Sequence, residues 1–543
     1  MTARSCHAAR WIAASLLLVG FVARVLPFAD RGGRLLRQFP TEDGYLMLVI
    51  ARNIALGRGM STADGTMPTN GTQPLVTFLW SVCSLAVGNS KAPTVAVILV
   101  VQLLLATATA YVIHRLARRI LPDTDSARDS AMLAASGWYA CSTIVSHTMN
   151  CLESGLYVLI VATIFLVLLG SAATSPSPRY ARWAGLGALL GVAFWARNDV
   201  VLLCGAIAFV ELLWGLPGAP SRPLHRLAEL TVAGVAVVVI AAPWLAFNYT
   251  HFGHVMPISG QSEAMDATFG SNAALLGPTL FTYATFLPIP NALVQAPWVV
   301  AAATIAMGLY VRFTWVKARA AATPSEGQRA ALPGSDGASV RQAWLLAATG
   351  TLTFTVFYGF FFGAPHFMSR YLLALSPLYA VAWGAAATAA LSWLARVSPG
   401  LVAAGGLLLI ALPAGLNLRT YRYGSQHPHF QVVEWVNANV PESTWVGAAQ
   451  SGTLGYFHDR TINFDGKVNP AALEARRHDK VARYAIDSGI RYFADWEVTA
   501  APARHAGAVL TMGDPVLAAA FEVVVDDKER NLAVLRRRDP LVP

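Results

Sequence analysis

Charge is what this sequence has least of. Asp, Glu, Lys and Arg make up 13% of its 543 residues, against the roughly 25% usual in soluble domains. That excludes a water-solvated globular surface for most of the chain. Cysteine is sparse too: Cys6, Cys83, Cys141, Cys151 and Cys204 lie mostly in or beside apolar runs. No Cys-x-x-Cys and no Cys/His ligand spacing occurs, so neither a disulfide framework nor a zinc site is indicated. The stretch Gly447–Gly452 has no Gly-Lys-Ser/Thr after it, which excludes a nucleotide phosphate loop. No internal repeat of the kind many transporters carry is visible.

What is abundant is apolar. Hydrophobic residues make up 55% of the chain and the mean hydropathy is +0.49. Several runs approach the roughly 20 apolar residues that cross a bilayer. The fold class is therefore an α-helical polytopic membrane protein. A net charge of +10 would suggest nucleic acid in a soluble protein. Here much of the Arg sits in short loops between spans, so positive-inside orientation is the better account and no nucleic-acid partner is expected.

Placing Arg4 and Arg10 in the cytoplasm makes Trp11–Phe28 a retained first helix rather than a cleaved signal, because no small-x-small site is followed by a soluble domain. The expected spans then run Val95–Leu116, Ala131–Ser146, Leu152–Gly170, Trp183–Ala196, Val200–Trp214, Leu230–Phe247, Val299–Trp315, Trp344–Phe362, Tyr371–Ala395 and Leu401–Leu416. That is about eleven spans including the first, by hydropathy. Pro74–Gly88 is short and reads as an interfacial or re-entrant helix. The polar, Ala/Pro/Gly/Ser-rich segment within 317–342 reads as a cytoplasmic linker. Residues 1–419 form the membrane domain, with 29–91 as an external loop carrying interfacial helices. Residues 420–543 have no span and read as a small external α/β domain. Its expected strands are Trp445–Ala449, Ile490–Ala494 and Phe521–Val525, and its expected helices Glu434–Asn439 and Ala471–Asp487. Arg31, Arg34 and Arg37 fall on the wrong side of this topology, facing lipid or substrate phosphates.

On this topology the polar clusters fall almost entirely on one side. They are Glu42-Asp43, Asn70-Gly71-Thr72-Gln73, Asn150-Cys151-Leu152-Glu153, Arg197-Asn198-Asp199, Asn248 with Pro257-Ile258-Ser259-Gly260, and His366 with Arg370-Tyr371. Ionisable groups at membrane depth are costly and usually functional. One polar cavity lined by several loops explains them together. Each also has a structural reading. Thr41 is placed to cap a helix whose first turn holds Glu42 and Asp43, with Gly57 or Gly59 ending it. Arg197 and Asp199 are placed to pair with each other. Glu153 is placed as a helix-start acid, and Arg370 as a snorkelling helix-end cation.

The order of motifs resembles a known family. Glu42-Asp43-Gly44-Tyr45, Ala51-Arg52-Asn53-Ile54-Ala55 and Thr69-Asn70-Gly71-Thr72-Gln73-Pro74-Leu75 resemble the first external loop of bacterial polyprenyl-phosphate-dependent glycosyltransferases. These belong to the glycosyltransferase C superfamily, with protein O-mannosyltransferases, lipid A aminoarabinose transferases and arabinofuranosyltransferases. Leu152-Glu153-Ser154-Gly155, Ala196-Arg197-Asn198-Asp199 and Ser369-Arg370-Tyr371-Leu372 continue the match. The tail from Gly452-Thr453-Leu454-Gly455 to Asp465-Gly466-Lys467-Val468-Asn469 resembles the external domain of an uncharacterised branch. Superfamily members typically place Asp first in the acidic pair; here Glu42 comes first.

The resemblance implies a hexosyl- or pentosyltransferase that takes its sugar from a polyprenyl-phosphate donor. The acceptor would be a cell-envelope glycan, glycolipid or protein at the outer face of the cytoplasmic membrane. The configuration would invert, with Asp43 or Glu42 as general base. Arg370, with Tyr371 and His366 as neighbours and Arg52 as second choice, would hold the donor phosphate. Asn70, Gln73, Glu153, Arg197 and Asp199 would hold sugar or acceptor. Asp465 and Asn469 are the acceptor-side candidates in the tail. No metal or other cofactor is indicated, a cation between Glu42 and Asp43 being the one alternative. The rival readings are a transporter or flippase of lipid-linked sugars, and a non-catalytic scaffold.

Overall fold

The computed structural model describes residues 3–30, 33–121, 124–170, 179–216, 222–288, 337–364, 368–424, 429–497 and 514–538. Its helices run α1 (Ala3–Val25), α2 (Arg34–Gln38), α3 (Glu42–Ala55), α4 (Pro74–Ala86), α5 (Lys91–Ile120), α6 (Asp125–Ala140), α7 (Ser142–Thr148), α8 (Ser154–Leu168), α9 (Arg179–Ala196), α10 (Val200–Trp214) and α11 (Pro223–Phe252). Then come α12 (Ile258–Met265), α13 (Ala273–Thr285), α14 (Gly337–Phe360), α15 (Met368–Tyr371), α16 (Ser376–Val397) and α17 (Pro399–Tyr423).

Six segments are long and apolar enough to span a bilayer: Ala8–Ala29, Lys91–Ile120, Pro223–Phe252, Val340–Phe360, Ser369–Val397 and Pro399–Tyr423. Pro74–Ala86, Ser154–Leu168 and Val200–Trp214 are shorter apolar helices. The chain is a multi-pass membrane protein, with fewer full-length spans among the described residues than the eleven expected. Two causes are visible. The expected span Ala131–Ser146 is broken at Cys141, whose backbone is extended between α6 and α7. The expected span Val299–Trp315 lies outside the described residues.

Small residues set the packing of the long helices, as they do where lipid supplies no hydrophobic drive between helices. A Cβ at Gly20 of α1 would collide with the Tyr139 backbone of α6, and one at Gly384 of α16 would collide with Ser130. Tyr139 also receives Arg24 of α1, whose guanidinium donates to the Tyr139 carbonyl at 2.7 Å and lies over its ring. Arginines close the opposite ends of the shorter helices: Arg182 donates to carbonyls of Val167 and Leu168, and Arg226 to those of Glu211 and Leu212.

Between the first span and α5 lies a polar excursion. It holds α2, α3, α4 and a two-stranded ribbon of β1 (Ser61–Thr62) and β2 (Met67–Pro68). Two of the arginines on the wrong side have protein partners here. Arg34 donates to the Tyr421 carbonyl at the end of α17 and Arg37 pairs with Glu434 at 2.6 Å. Arg31 lies outside the described residues.

After α17 come α18 (Phe430–Asn439), β3 (Val446–Ala448), α19 (Ser451–Phe457), β4 (Thr461–Asn463), α20 (Pro470–Arg477), α21 (Val481–Asp487), β5 (Tyr492–Asp495), α22 (Pro515–Ala520), β6 (Phe521–Asp527) and β7 (Leu532–Arg537). The strands form one sheet in the order β4-β3-β5-β7-β6. β4, β3 and β5 are parallel, and β7 pairs antiparallel with β5 and β6. Side chains alternate between two buried faces. Phe493 and Leu535 pack with Phe464 and Phe521 on one, and Ala494 and Val534 pack with Val432 and Val436 of α18 on the other. β4 and β7 escaped the sequence reading. The expected helix Ala471–Asp487 is two helices, because Asp479 between them adopts a positive φ of 53°.

Candidate active site

The site begins at the amino end of α3. Thr41 caps it, its hydroxyl accepting from the Gly44 amide at 3.1 Å, and Gly57 follows the helix with a φ of +76°. Gly44 lets the helix start sit directly on the loop before α8: a Cβ there would collide with the Asn150 carbonyl. That loop is itself fixed, since the Trp80 indole donates to the Cys151 carbonyl at 2.9 Å and Gln102 bonds both Cys151 and Leu152.

The two adjacent acids then diverge. Asp43 turns toward the membrane helices, where the Arg370 guanidinium of α15 lies 3.2 Å from its carboxylate. Glu42 turns the other way and is buried against α19. Its carboxylate accepts from the Gly452 amide, the Thr453 amide at 3.0 Å and the Thr453 hydroxyl. Burial is the largest influence on Glu42 and pushes its carboxyl up, against the pull of these donors.

Beside Arg370 lies a second, fully enclosed cluster. Arg197 bonds Glu153 and Asp199, each at 2.7 Å, and all three side chains are under a tenth exposed. Tyr358 donates to Asp199 at 2.5 Å and stacks on Tyr371 with ring centroids 4.0 Å apart. Tyr371 in turn lies against both guanidiniums, of Arg197 and Arg370. Ser369 is held between the His147 ring and the Tyr283 hydroxyl.

The third side comes from the loop ahead of α4 and the loop around α12. Asn70 donates to Asn248 at 3.1 Å and accepts from the Ile258 amide at 3.1 Å. Lys467, from the sheet domain, reaches Glu263 of α12 at 2.8 Å. Burial alone would lower the Lys467 ammonium; the carboxylates of Asp43, Asp465 and Glu263 outweigh it and hold it above the ordinary lysine value. The strap of residues 465–469 that carries Lys467 is held down by Ser262, which donates to the Asp465 carbonyl, and by Arg476, which reaches that carbonyl and Asp266.

Thus Asp43, Arg370 and Tyr371 come together, with Glu153, Arg197 and Asp199 packed behind them. Other expectations fall elsewhere. Arg52 lies nine residues along α3 from Asp43, more than two turns away, and pairs with Asp459 at 3.0 Å. Asn70 is buried and spends its amide on Asn248 of α11 and on Ile258, the first residue of α12. Asn469 caps α20, accepting from the amides of Ala471 and Ala472. His366 lies outside the described residues. Glu42 and Asp43 bond different partners, and no group of three His, Cys, Asp or Glu suited to a metal occurs among the described residues. Glu263 and Tyr358 were missed. Thr453 and Lys467 stood only in the motifs of the tail, with no role given to them.

Residues 417–530 match a family described as a domain of unknown function, DUF8728. No curated protein sequence matches the chain. The fold has clear relatives. ArnT from Cupriavidus metallidurans, solved bound to undecaprenyl phosphate, superposes with a TM-score of 0.58 at 13% identity over 98% of each chain. The archaeal oligosaccharyltransferase AglB from Archaeoglobus fulgidus, solved with an inhibitory peptide and a dolichol-phosphate, superposes with a TM-score of 0.56 at 12% identity, over 95% of this chain and 72% of that one. The fold is the glycosyltransferase C fold.

Proposed function

We propose that the chain is a membrane-embedded glycosyltransferase that moves a sugar from a polyprenyl-phosphate donor to an acceptor hydroxyl. The site faces outward across the cytoplasmic membrane, opposite the arginine-rich helix ends. The observation that carries this reading is the Asp43–Arg370 pair: a carboxylate and a guanidinium 3.2 Å apart, both largely buried, between the start of α3 and α15. Group transfer from a lipid phosphate needs a base for the acceptor proton beside a fixed positive charge for the leaving oxyanion. The neighbouring fold relatives were solved with undecaprenyl phosphate and dolichol-phosphate, which supports a donor of that class.

In this reading Asp43 takes the proton from the acceptor hydroxyl. The acceptor oxygen forms its bond to the anomeric carbon as the bond from that carbon to the phosphate oxygen breaks. The lipid phosphate leaves with the electron pair, and inversion results. Arg370 holds the phosphate through its planar fork. Tyr371, stacked on Tyr358, fixes the guanidinium's direction.

The test is sugar transfer in membranes supplied with a panel of radiolabelled polyprenyl-phosphate sugars. Transfer of one sugar by the wild type, abolished in Asp43→Asn, supports the reading. Lipid-linked sugar crossing the bilayer with no donor consumed overturns it in favour of transport.

A further inference from the structure

The three parallel strands β4, β3 and β5 present their carboxyl ends on one side of the sheet domain. In open α/β sheets that is where ligands bind. Here the place is filled from within the chain. The residues following β3 supply the amides of Gly452 and Thr453 and the Thr453 hydroxyl, and all three donate to Glu42. The amides just before them, of Ala449 and Gln450, are taken by Asp495 at the end of β5. The approach is close enough that a Cβ at Gly452 would collide with the Glu42 carbonyl. The loop after β4 lies on Gly71 and brings Lys467 to Glu263, among the carboxylates that include Asp43.

From this geometry we infer that Glu42 is a positioning residue: it seats the sheet domain on α3 as an internal ligand, and that seating sets where Lys467, held on Glu263, stands relative to Asp43. The inference rests on the proposed transfer reaction only for its kinetic readout. Glu42 and Asp43 are consecutive residues of one helical turn, so a shift of Glu42 on its seat moves Asp43 with it. The work is therefore divided between neighbours. Asp43 meets the substrates, and Glu42 fixes where Asp43 and Lys467 stand relative to each other. It also accounts for the longer acid in first place, which reaches out of α3 into the neighbouring domain.

The experiment uses the full chain in membranes, with two readouts: protease cleavage within residues 429–497 and transfer kinetics across pH. Glu42→Gln keeps an acceptor oxygen for the amides. It is expected to retain turnover, reduced by about 10- to 100-fold as for a displaced catalytic group, with the acidic limb of its kcat profile unmoved. Thr453→Val and Gly452→Val leave Glu42 intact and are expected to give a loss of the same order with faster cleavage of the sheet domain. Glu42→Gln as inactive as Asp43→Asn with cleavage unchanged would overturn the inference, because Glu42 would then be acting on the proton. So would wild-type rates and cleavage in both Thr453→Val and Gly452→Val. A wild type that transfers no sugar defeats the reaction proposed above, and the cleavage pattern alone then decides the seating.

Discussion

Lys467 of the sheet domain and Glu263 of α12 form an ion pair at 2.8 Å, with roughly a fifth of each side chain exposed. This pair ties the tail of the chain to the loop after α11, within the electrostatic reach of Asp43. Removing the lysine leaves Glu263 and Asp43 with one cation fewer against which to hold an anionic donor. In the proposed reaction, Lys467→Ala is expected to raise the KM for the donor about tenfold, the size of one lost charge-assisted contact of ~1.4 kcal/mol. Lys467→Arg should recover most of it. Initial rates against donor concentration measure both.

Arg370 carries the larger effect in the proposed reaction, because it faces the group on which charge develops. Arg370→Ala should lower kcat by about 10²- to 10³-fold, as for loss of one preorganised donor to an oxyanion. Arg370→Lys should restore only part, since an ammonium is a point charge without the fork. A fall in donor binding without a fall in kcat would place the guanidinium on the ground state instead.

The Arg197 cluster predicts a stability effect. Glu153, Asp199 and Arg197 are all enclosed, and the arginine is the cation between two acids. Arg197→Ala leaves both carboxylates uncompensated and should cost about 3–5 kcal/mol. The thermal midpoint of the purified protein in detergent reads this. Arg197→Ala combined with Glu153→Gln and Asp199→Asn, which removes the buried charge altogether, should recover part of the loss.

Asp459 predicts a pH effect. Burial opposes its ionisation, but the hydrogen bond and charge of Lys91, together with Arg52, prevail and hold its carboxyl below the ordinary 3.8. A depressed folded-state value stabilises above the unfolded value and loses that contribution as pH falls through the folded one. The contact joining the sheet domain to α3 and α5 should therefore hold at neutral pH and release below about pH 4. Protease cleavage of the sheet domain in acid should rise in the wild type, and Asp459→Asn should show raised cleavage already at neutral pH.

What could be read from the sequence was local. Thr41 and the acids after it announced the start of α3, because a cap and its first turn are neighbours in sequence. Arg197 and Asp199 announced their own pairing for the same reason. The bounds of α10 matched its apolar run, since Asp199 and Gly215 flank it. What was missed lies across long separations. Glu42 meets Gly452 over 410 positions, a contact with no periodicity to betray it. Arg52 illustrates the converse: an arginine near an acidic pair in sequence reads as a phosphate ligand, until the helix carries it two turns off to Asp459. β4, only three residues long, is defined by its parallel partner β3 rather than by any pattern of its own.

The last prediction concerns Gly71, where the loop ahead of α4 meets the tail. Its Cα faces the backbone of Lys467, and a Cβ there would collide with that carbonyl and press on Val468. Neither neighbour yields easily. The Lys467 amide is bonded to Asp465 and the next residues lead into the Asn469 cap of α20. Gly71 itself is fixed by its amide on the Thr69 hydroxyl, and Asn70 beside it is bonded to Asn248 and Ile258. The strain of even one methyl group must therefore lift the 465–469 strap as a unit. Gly71→Ala is expected to fold and insert normally, to lose transfer about as far as Lys467→Ala does, and to speed cleavage of the sheet domain, which Lys467→Ala should do less. Wild-type transfer in Gly71→Ala would mean that the strap yields without moving Lys467.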